Sequence, residues 1–459
     1  MRRVQANWMR FISLVCAVSL HAAPSSGLKF AFGPREIPGW ISLAANDAYT
    51  AERGYGFDLE SQVSLVDQGG SDPLKSGYAT GKNGKPFFFS AKLLPGAYRV
   101  SVTLGQAAGP TVTTVKSETR RLMLEAVHTA PGEHQTHTFL VHLRRPTLPD
   151  GRSVKLKSRE KEPILYVQWN DSTRVPFLEL DWDEKLTLEF SDANPAVSSI
   201  EIVPEKTPET VYLIGDSTVT DQMMEPWAAW GQIFPRWFKP PILIANYAES
   251  GETASGFITE LRWSKLLSEI HRGDYVLMQF GINDQRVPIE QFEKALQQFI
   301  ADSRDHGAIP VLVTSQNLRR LDEQGHAVQT LGEYPAAMRE IAANSNVPLI
   351  DLNAMSMKLY EALGPKKLPT MFVDDTHQNG YGAYQLAKCV IQGLVDAKIP
   401  FTENLIDWKP FDPSRPDALE DFHLPPDPQL DPARPGGPGA PLGKGPMAGD
   451  RPAQPKPAK

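Results

Sequence analysis

Two rhythms of apolar and polar positions divide the chain. From Leu28 to about Lys206 the apolar residues gather in short runs, several alternating with polar ones, and turn-forming residues separate them; helical spacing is weak throughout. Phe87–Lys92 and Ala97–Leu104 flank Leu93-Leu94-Pro95-Gly96, which reads as a hairpin, and Thr136–Leu143 and Leu186–Phe190 read as further strands. The pattern predicts an antiparallel β-sandwich over residues 28–206. After Lys206 the rhythm changes to strand then helix. Strands are predicted at Val211–Ile214, Ile242–Tyr247, Tyr275–Phe280, Pro310–Thr314 and Pro348–Leu352. Between the third and fourth, Ile289, Phe292, Leu296, Phe299 and Ile300 form a stripe at helical spacing that stops before Gly307. A second helix is predicted from about Tyr381 to Lys398, with Leu386, Val390 and Leu394 stepping four residues at a time. Five strands alternating with helices over residues 208–400 predict an α/β fold, a doubly wound parallel sheet covered on both faces.

The two ends of the chain fit neither rhythm. Arg2, Arg3 and Arg10 precede the apolar run Phe11–Leu20, and Ala22 and Ala23 follow. That order, basic then apolar then small, predicts a secretory signal peptide over residues 1–23 and a secreted or periplasmic protein. The run is far short of the ~20 residues that a spanning helix needs, and no other segment is apolar enough to cross a bilayer, so no membrane partner is expected after its removal. Cys16 falls in the discarded segment, which leaves Cys389 alone, without an internal disulfide and read as a small buried residue. Residues 409–459 are expected to form a Pro/Gly-rich disordered tail, because the 11 prolines between Pro425 and Lys459 leave almost nothing to bury.

Composition narrows the partners. Hydrophobic content of 41% and charged content of 22% are those of an ordinary soluble protein, and 459 residues suffice for two domains with extensions. A net charge of −7 without a basic run excludes nucleic acid. His134, His137 and His142 do not suggest a metal site, since separations of three and five put successive members on opposite faces of a strand. Gly54-Tyr55-Gly56-Phe57 is either a stacking surface for sugars or, as aromatics beside glycines in a sandwich usually are, core. Trp227, Trp230 and Trp263 pose the same choice, and the helical spacing of Trp227 and Trp230 with Ile233, Phe234 and Trp237 favours core.

Chemistry concentrates where the predicted parallel strands end. Val211–Ile214 runs into Gly215, where the backbone can turn, so Ser217 stands at a strand's carboxyl end, the edge at which open α/β sheets bind ligands. Three further stretches end strands of the same sheet or follow them: Asn246–Thr253, Phe280–Asp284 and Asp374–His377. A serine hydroxyl needs a base to become a nucleophile, and His377 fills that role. Asp374, three residues earlier, reaches the imidazole, fixes its tautomer and stabilises the imidazolium; Asp375 is the competing acid, which the spacing disfavours. Attack on an ester puts charge on oxygen, and the Ser217 and Gly251 backbone N–H groups with the Asn283 side-chain amide are the candidate donors for it. Asp216 reads as support for the turn.

Gly215-Asp216-Ser217, Gly251, Asn283 and Asp374 with His377 resemble, in order, the four signature blocks of the SGNH (GDSL-type) hydrolases. The phrases GDSTVTDQ, PWAAWGQIFPRWF, NYAESGETASGF, GDYVLMQFGINDQ and DDTHQNGYGA, with SETRRLMLE in the N-terminal region, are similar to bacterial rhamnogalacturonan acetylesterases that carry a leading β-sandwich. The resemblance implies a flavodoxin-like five-stranded sheet behind a galactose-binding-like sandwich. It also implies removal of acetyl groups from an acetylated plant cell-wall polysaccharide, the pectin backbone, by an acyl-serine route without metal or organic cofactor. One departure stands out: relatives usually have histidine where this chain has Ile282. The blocks specify a reaction and not a polymer, so an acetylxylan or broader sugar-ester esterase remains open, as does, from another class, an inactive carbohydrate-binding protein.

Overall fold

The computed structural model describes residues 27–161, 164–170 and 173–426. The expected signal peptide and the chain beyond Pro426 lie outside the described residues. Two sheets face each other in the N-terminal half. One runs in the order Gln135–Leu143, Gly96–Leu104, Val197–Pro204, Leu28–Ala31 and Ile41–Ser42, with Val63–Asp67 and Gly77–Gly81 attached to it. The other runs Tyr55–Asp58, Phe87–Lys92, Lys185–Ser191, Thr111–Ser117 and Arg121–Thr129. All described pairs are antiparallel except that of Leu28–Ala31 with Ile41–Ser42. Alternation decides which side faces in: along Gly96–Leu104, Tyr98, Val100, Val102 and Leu104 are buried while Arg99, Ser101 and Thr103 are half-buried. Phe57 joins the same core, Tyr55 packs against it, and Phe87 stacks on Phe190 with ring centroids 5.1 Å apart, so Tyr55 and Phe57 are packing residues.

One local expectation fails. Phe87–Lys92 pairs with Tyr55–Asp58 and Lys185–Ser191, whereas Gly96–Leu104 pairs with Gln135–Leu143 and Val197–Pro204, so the segment Leu93–Gly96 carries the chain from one sheet to the other. A Pro-Gly turn reverses the chain but does not choose the partner. Both flanking strands present large apolar faces, and lying opposite one another, with Leu93 buried between and its N–H on the Glu184 carbonyl 3.1 Å away, buries both.

The C-terminal half is a five-stranded parallel sheet: β1 (Glu209–Gly215), β2 (Ile242–Asn246), β3 (Tyr275–Gln279), β4 (Ile309–Val313) and β5 (Leu349–Ile350), in the order β2-β1-β3-β4-β5. Every predicted strand is present, the last shortened to two residues. Helices α1 (Ile289–Asp305) and α2 (Tyr334–Ser345) cover one face, through Phe292, Leu296, Phe299 and Met338. Helices α3 (Leu352–Lys367) and α4 (Gly380–Asp396) cover the other, through Leu359, Leu386, Val390 and Leu394. Asn379 starts α4 by accepting from the Gly382 N–H, and Cys389 is buried within it. Because the chain leaves β1 toward β2 and then returns past it to β3, the connections diverge between β1 and β3, the place at whose carboxyl ends open sheets of this kind bind ligands.

The halves meet along a charged seam. Within the SETRRLMLE segment, Arg121 donates to Asp221 at 2.9 and 2.7 Å and to Asp181 at 2.9 Å, with all three side chains buried. Arg120 donates to the Gln222 and Trp227 carbonyls, and Glu125 pairs with Arg236 and accepts from the Tyr384 hydroxyl at 2.9 Å. Leu122 sits in the apolar core of the C-terminal half.

The expected tail boundary also moves. Phe411 is buried, Asp417 accepts from Lys388 at 2.6 Å, its carbonyl accepts from the Tyr381 hydroxyl at 2.6 Å, and the Phe422 ring lies 5.7 and 5.5 Å from those of Tyr381 and Tyr384. The chain therefore stays fastened to α4 through residues 411–424. A few well-spaced anchors do this, and average composition conceals them.

Candidate active site

The turn after β1 is built on contacts that admit only glycine at its start. A Cβ on Gly215 would lie 2.7 Å from both the Gln279 carbonyl oxygen and Val219 Cγ2. Asp216 Oδ1 accepts from the Thr218 N–H at 2.9 Å and its hydroxyl at 2.7 Å, a short-range turn that fixes the backbone around Ser217. Gln279 donates to the Thr218 hydroxyl and accepts from Trp230 Nε1, both at 2.7 Å. Gln222 donates to the Ser217 carbonyl at 2.5 Å.

Ser217 Oγ lies 2.9 Å from His377 Nε2, and His377 Nδ1 lies 2.8 Å from Asp374 Oδ2. A carboxylate only accepts, so Nδ1 carries the proton and Nε2 is left as the acceptor for the serine hydroxyl. Burial opposes ionisation of Asp374. The hydrogen bond and charge of His377, with the His377 and Thr376 N–H groups 2.7 Å from Oδ1, outweigh it and hold the carboxyl down at about 2. Asp375 points elsewhere, onto the Arg319 guanidinium. Ser217 and His377 are buried while the Asp374 side chain is 42% exposed, so the relay runs from the turn of β1 out to the surface.

The other two blocks close on the same turn. The loop after β2 is tied to it by Glu249 N–H on the Gly215 carbonyl at 3.1 Å and by the Thr220 hydroxyl on the Ala248 carbonyl at 2.8 Å. Within that loop Gly251 has φ +82°, a conformation that L side chains rarely adopt. After β3, Asn283 opens a short 3-10 turn, and its amide donates to the Glu252 carbonyl at 3.1 Å. Asp284 braces both stretches by accepting from the Ala254 N–H at 2.8 Å and the Gly281 N–H at 2.9 Å. Burial pushes its carboxyl up to about 7 against those two donors, and the charge of Asp216 adds to the rise. Burial likewise raises Asp216. The half-buried Ile282 precedes Asn283, and nothing in the structure explains the departure there.

Ser217, His377 and Asp374 therefore form one run of hydrogen bonds at the carboxyl end of β1, and Gly251 and Asn283 lie in the loops after β2 and β3, the first loop tied to that turn and the second to the first. Trp227, Trp230 and Trp263 are buried, Trp263 with Nε1 on Asp302 at 2.8 Å. Four neighbours of the site carry no signal in the reading above: Gln222, Asp284 and, with Nζ and Nη2 at 2.6 and 2.7 Å from the Ser250 carbonyl oxygen, Lys157 and Arg159. The first two lie inside the phrases GDSTVTDQ and GINDQ and were open to the same argument. Lys157 and Arg159 sit in a mixed-charge stretch that patterning reads as surface. Among the described residues no group of three or more His, Cys, Asp or Glu side chains is arranged to hold a metal ion.

Residues 213–384 match the model of the GDSL-like lipase/acylhydrolase family. The rhamnogalacturonan acetylesterase RhgT of Bacillus subtilis is 39% identical over 222 residues, which cover 44% of this chain and 96% of that protein. YesY of the same bacterium, a probable rhamnogalacturonan acetylesterase, is 32% identical over 216 residues, covering 43% and 97%. The similarity to the uncharacterized esterase YxiM, also from Bacillus subtilis, is 26% over 394 residues and takes in 82% of this chain and 92% of that protein.

Proposed function

Because this chain belongs to the GDSL-like lipase/acylhydrolase family, we propose that it is a carbohydrate acetylesterase acting on rhamnogalacturonan through an acetyl-serine intermediate. The observation that carries the chemistry is the run of hydrogen bonds from Ser217 Oγ to His377 to Asp374 at the sheet's carboxyl edge. The similarity to the rhamnogalacturonan acetylesterase RhgT and to YesY, a probable one, supports the substrate.

Ser217 Oγ attacks the acetyl carbonyl carbon as His377 Nε2 takes its proton. Asp374, held down at about 2 and so ionised near neutral pH, stabilises the imidazolium. The carbonyl π electrons move onto oxygen, which the Ser217 and Gly251 N–H groups and the Asn283 amide receive. Collapse breaks the bond to the sugar oxygen, and His377 returns the proton to that oxygen as the alcohol leaves. Water then attacks the acetyl-serine with His377 again as base, releasing acetate and restoring Ser217. The order of charges and sizes in residues 1–23 supports export, to a periplasm or beyond the cell.

The test is the initial rate of acetate release from acetylated rhamnogalacturonan and from acetylated xylan, with Ser217→Ala alongside. Preference for the pectic polymer, abolished in the variant, is expected. Preference for xylan would retain the mechanism and discard the pectin assignment. No release from either polymer would favour a binding role.

A further inference from the structure

Ser250 and Gly251 share one peptide unit, and its two sides meet different surroundings. The carbonyl side is buried: Ser250 and Glu252 are 7% and 2% exposed, whereas Gly251 itself is exposed. Two cations from the N-terminal half converge on the Ser250 carbonyl oxygen, Lys157 Nζ at 2.6 Å and Arg159 Nη2 at 2.7 Å. Each is also held by a carboxylate flanking that peptide, Lys157 by Glu252 and Arg159 by Glu249. The turn that supplies them is anchored in its own right. Glu160 accepts the Lys157 N–H at 2.7 Å, and a two-pronged pair with Arg262 and a bond from Trp182 Nε1 at 3.1 Å hold Glu160 in turn.

We propose that Lys157 and Arg159 are positioning residues for ester hydrolysis, which fix and polarise the Ser250–Gly251 peptide so that its N–H receives the oxyanion. The inference rests on the acetyl-serine reading above. Its physical basis is the planarity of the amide: in a trans peptide the C=O and N–H point to opposite sides, so pinning the oxygen at two points sets the direction of the hydrogen. Two charge-assisted donors on that oxygen also draw electron density from the nitrogen and strengthen its N–H as a donor, as hydrogen bonds in series do. A preset donor costs no reorganisation when charge develops on the substrate. The N-terminal half thereby enters the reaction without touching substrate.

Lys157→Met and Arg159→Gln each leave the other cation on the Ser250 oxygen, which keeps the loop closed. Hydrolysis of 4-nitrophenyl acetate removes any contribution from polymer binding. Each variant is expected to lose about 10-fold in kcat, less than the 10²–10³ that follows removal of an oxyanion donor itself. KM should stay within about twofold, and affinity for phenylboronic acid, whose serine adduct carries the same oxyanion, should fall by the factor lost in kcat. Lys157→Arg, which restores a cation, should recover most of the rate. Should Arg159→Gln fail to fold, Lys157→Met decides alone. Folded variants with wild-type kcat, or a loss confined to KM with boronate affinity unchanged, would overturn the proposal. A Ser217→Ala enzyme that still hydrolyses the ester would instead overturn the reading on which it rests.

Discussion

The proposed acid–base side of Ser217 and its proposed oxyanion side are assembled over very different ranges of chain. Asp374 and His377 are three residues apart, and one carboxylate holds both the imidazole and two backbone N–H groups of the same turn. The peptide before Gly251 is held by Lys157 and Arg159, 93 and 91 positions upstream in the other half of the molecule. The local arrangement tolerates exposure, since backbone bonds keep Asp374 in place while its side chain is 42% exposed. The remote arrangement rests on buried carboxylates: Glu252 and Glu249 are 2% and 5% exposed and draw in the half-buried Lys157 and Arg159, with less competition from water than at Asp374. Short-range sites are thus specified by spacing, long-range ones by the fold.

Substitutions separate the two sides. Ser217→Ala removes what both serve and should lower kcat by about 10⁴ or more, measured as acetate release. Asp374→Asn breaks the short-range side. It keeps the shape but favours the wrong imidazole tautomer, and a loss of about 10³–10⁴ in kcat is expected, while Asp375→Asn, which disturbs only Arg319, should stay within about twofold. An Asp375 effect as large as that of Asp374 would exchange their roles. Asn283→Ala breaks the oxyanion side and should cost about 10²–10³ in kcat with little change in KM.

Acidity sharpens the contrast with the smallest effect. The Asp374 carboxyl is held down at about 2, so its contribution to stability is present above the ordinary carboxylate value of about 4 and is lost as the pH falls through 2. Asp284 is pushed up to about 7, so the folded protein keeps a proton that the unfolded chain releases near 4. Its contribution is complete below about 4 and is lost as the pH rises through 7. Melting temperatures between pH 4 and 8 should decline by a few degrees on this account, at about 2–4 °C per kcal/mol. The decline should flatten in Asp284→Asn, and an unchanged slope in that variant would remove Asp284 as its cause.

Legibility in the sequence followed the same division of range. The parallel half was readable because its strands are nearly continuous apolar runs and its helices keep a clean stripe, as in Phe292, Leu296 and Phe299, so burial is written into each segment separately. Gly215, Ser217, Asp374 and His377 were readable because a strand end and a three-residue spacing are local facts. The sheet change at Leu93–Gly96 was not, because a turn signal is silent about partners. Nor were Lys157 and Arg159, whose mixed-charge surroundings look like solvated surface until the fold lays them against Ser250. The anchors Phe411 and Phe422 escaped for a related reason: isolated aromatics in a proline-rich stretch acquire meaning only from the helix they land on.

The buried guanidinium of Arg121, set between Asp221 and Asp181, bears on how far the two halves are modular. An engineer who cut the gene near residue 207 to obtain a minimal catalyst would leave Asp221 without its counter-charge and bare the surface that Leu122 covers. Water would solvate Asp221 in place of Arg121, but the apolar face once covered by Leu122 would lie open and invite association. Shuffling this catalytic half onto another carrier therefore requires redesigning the seam as well as choosing a linker.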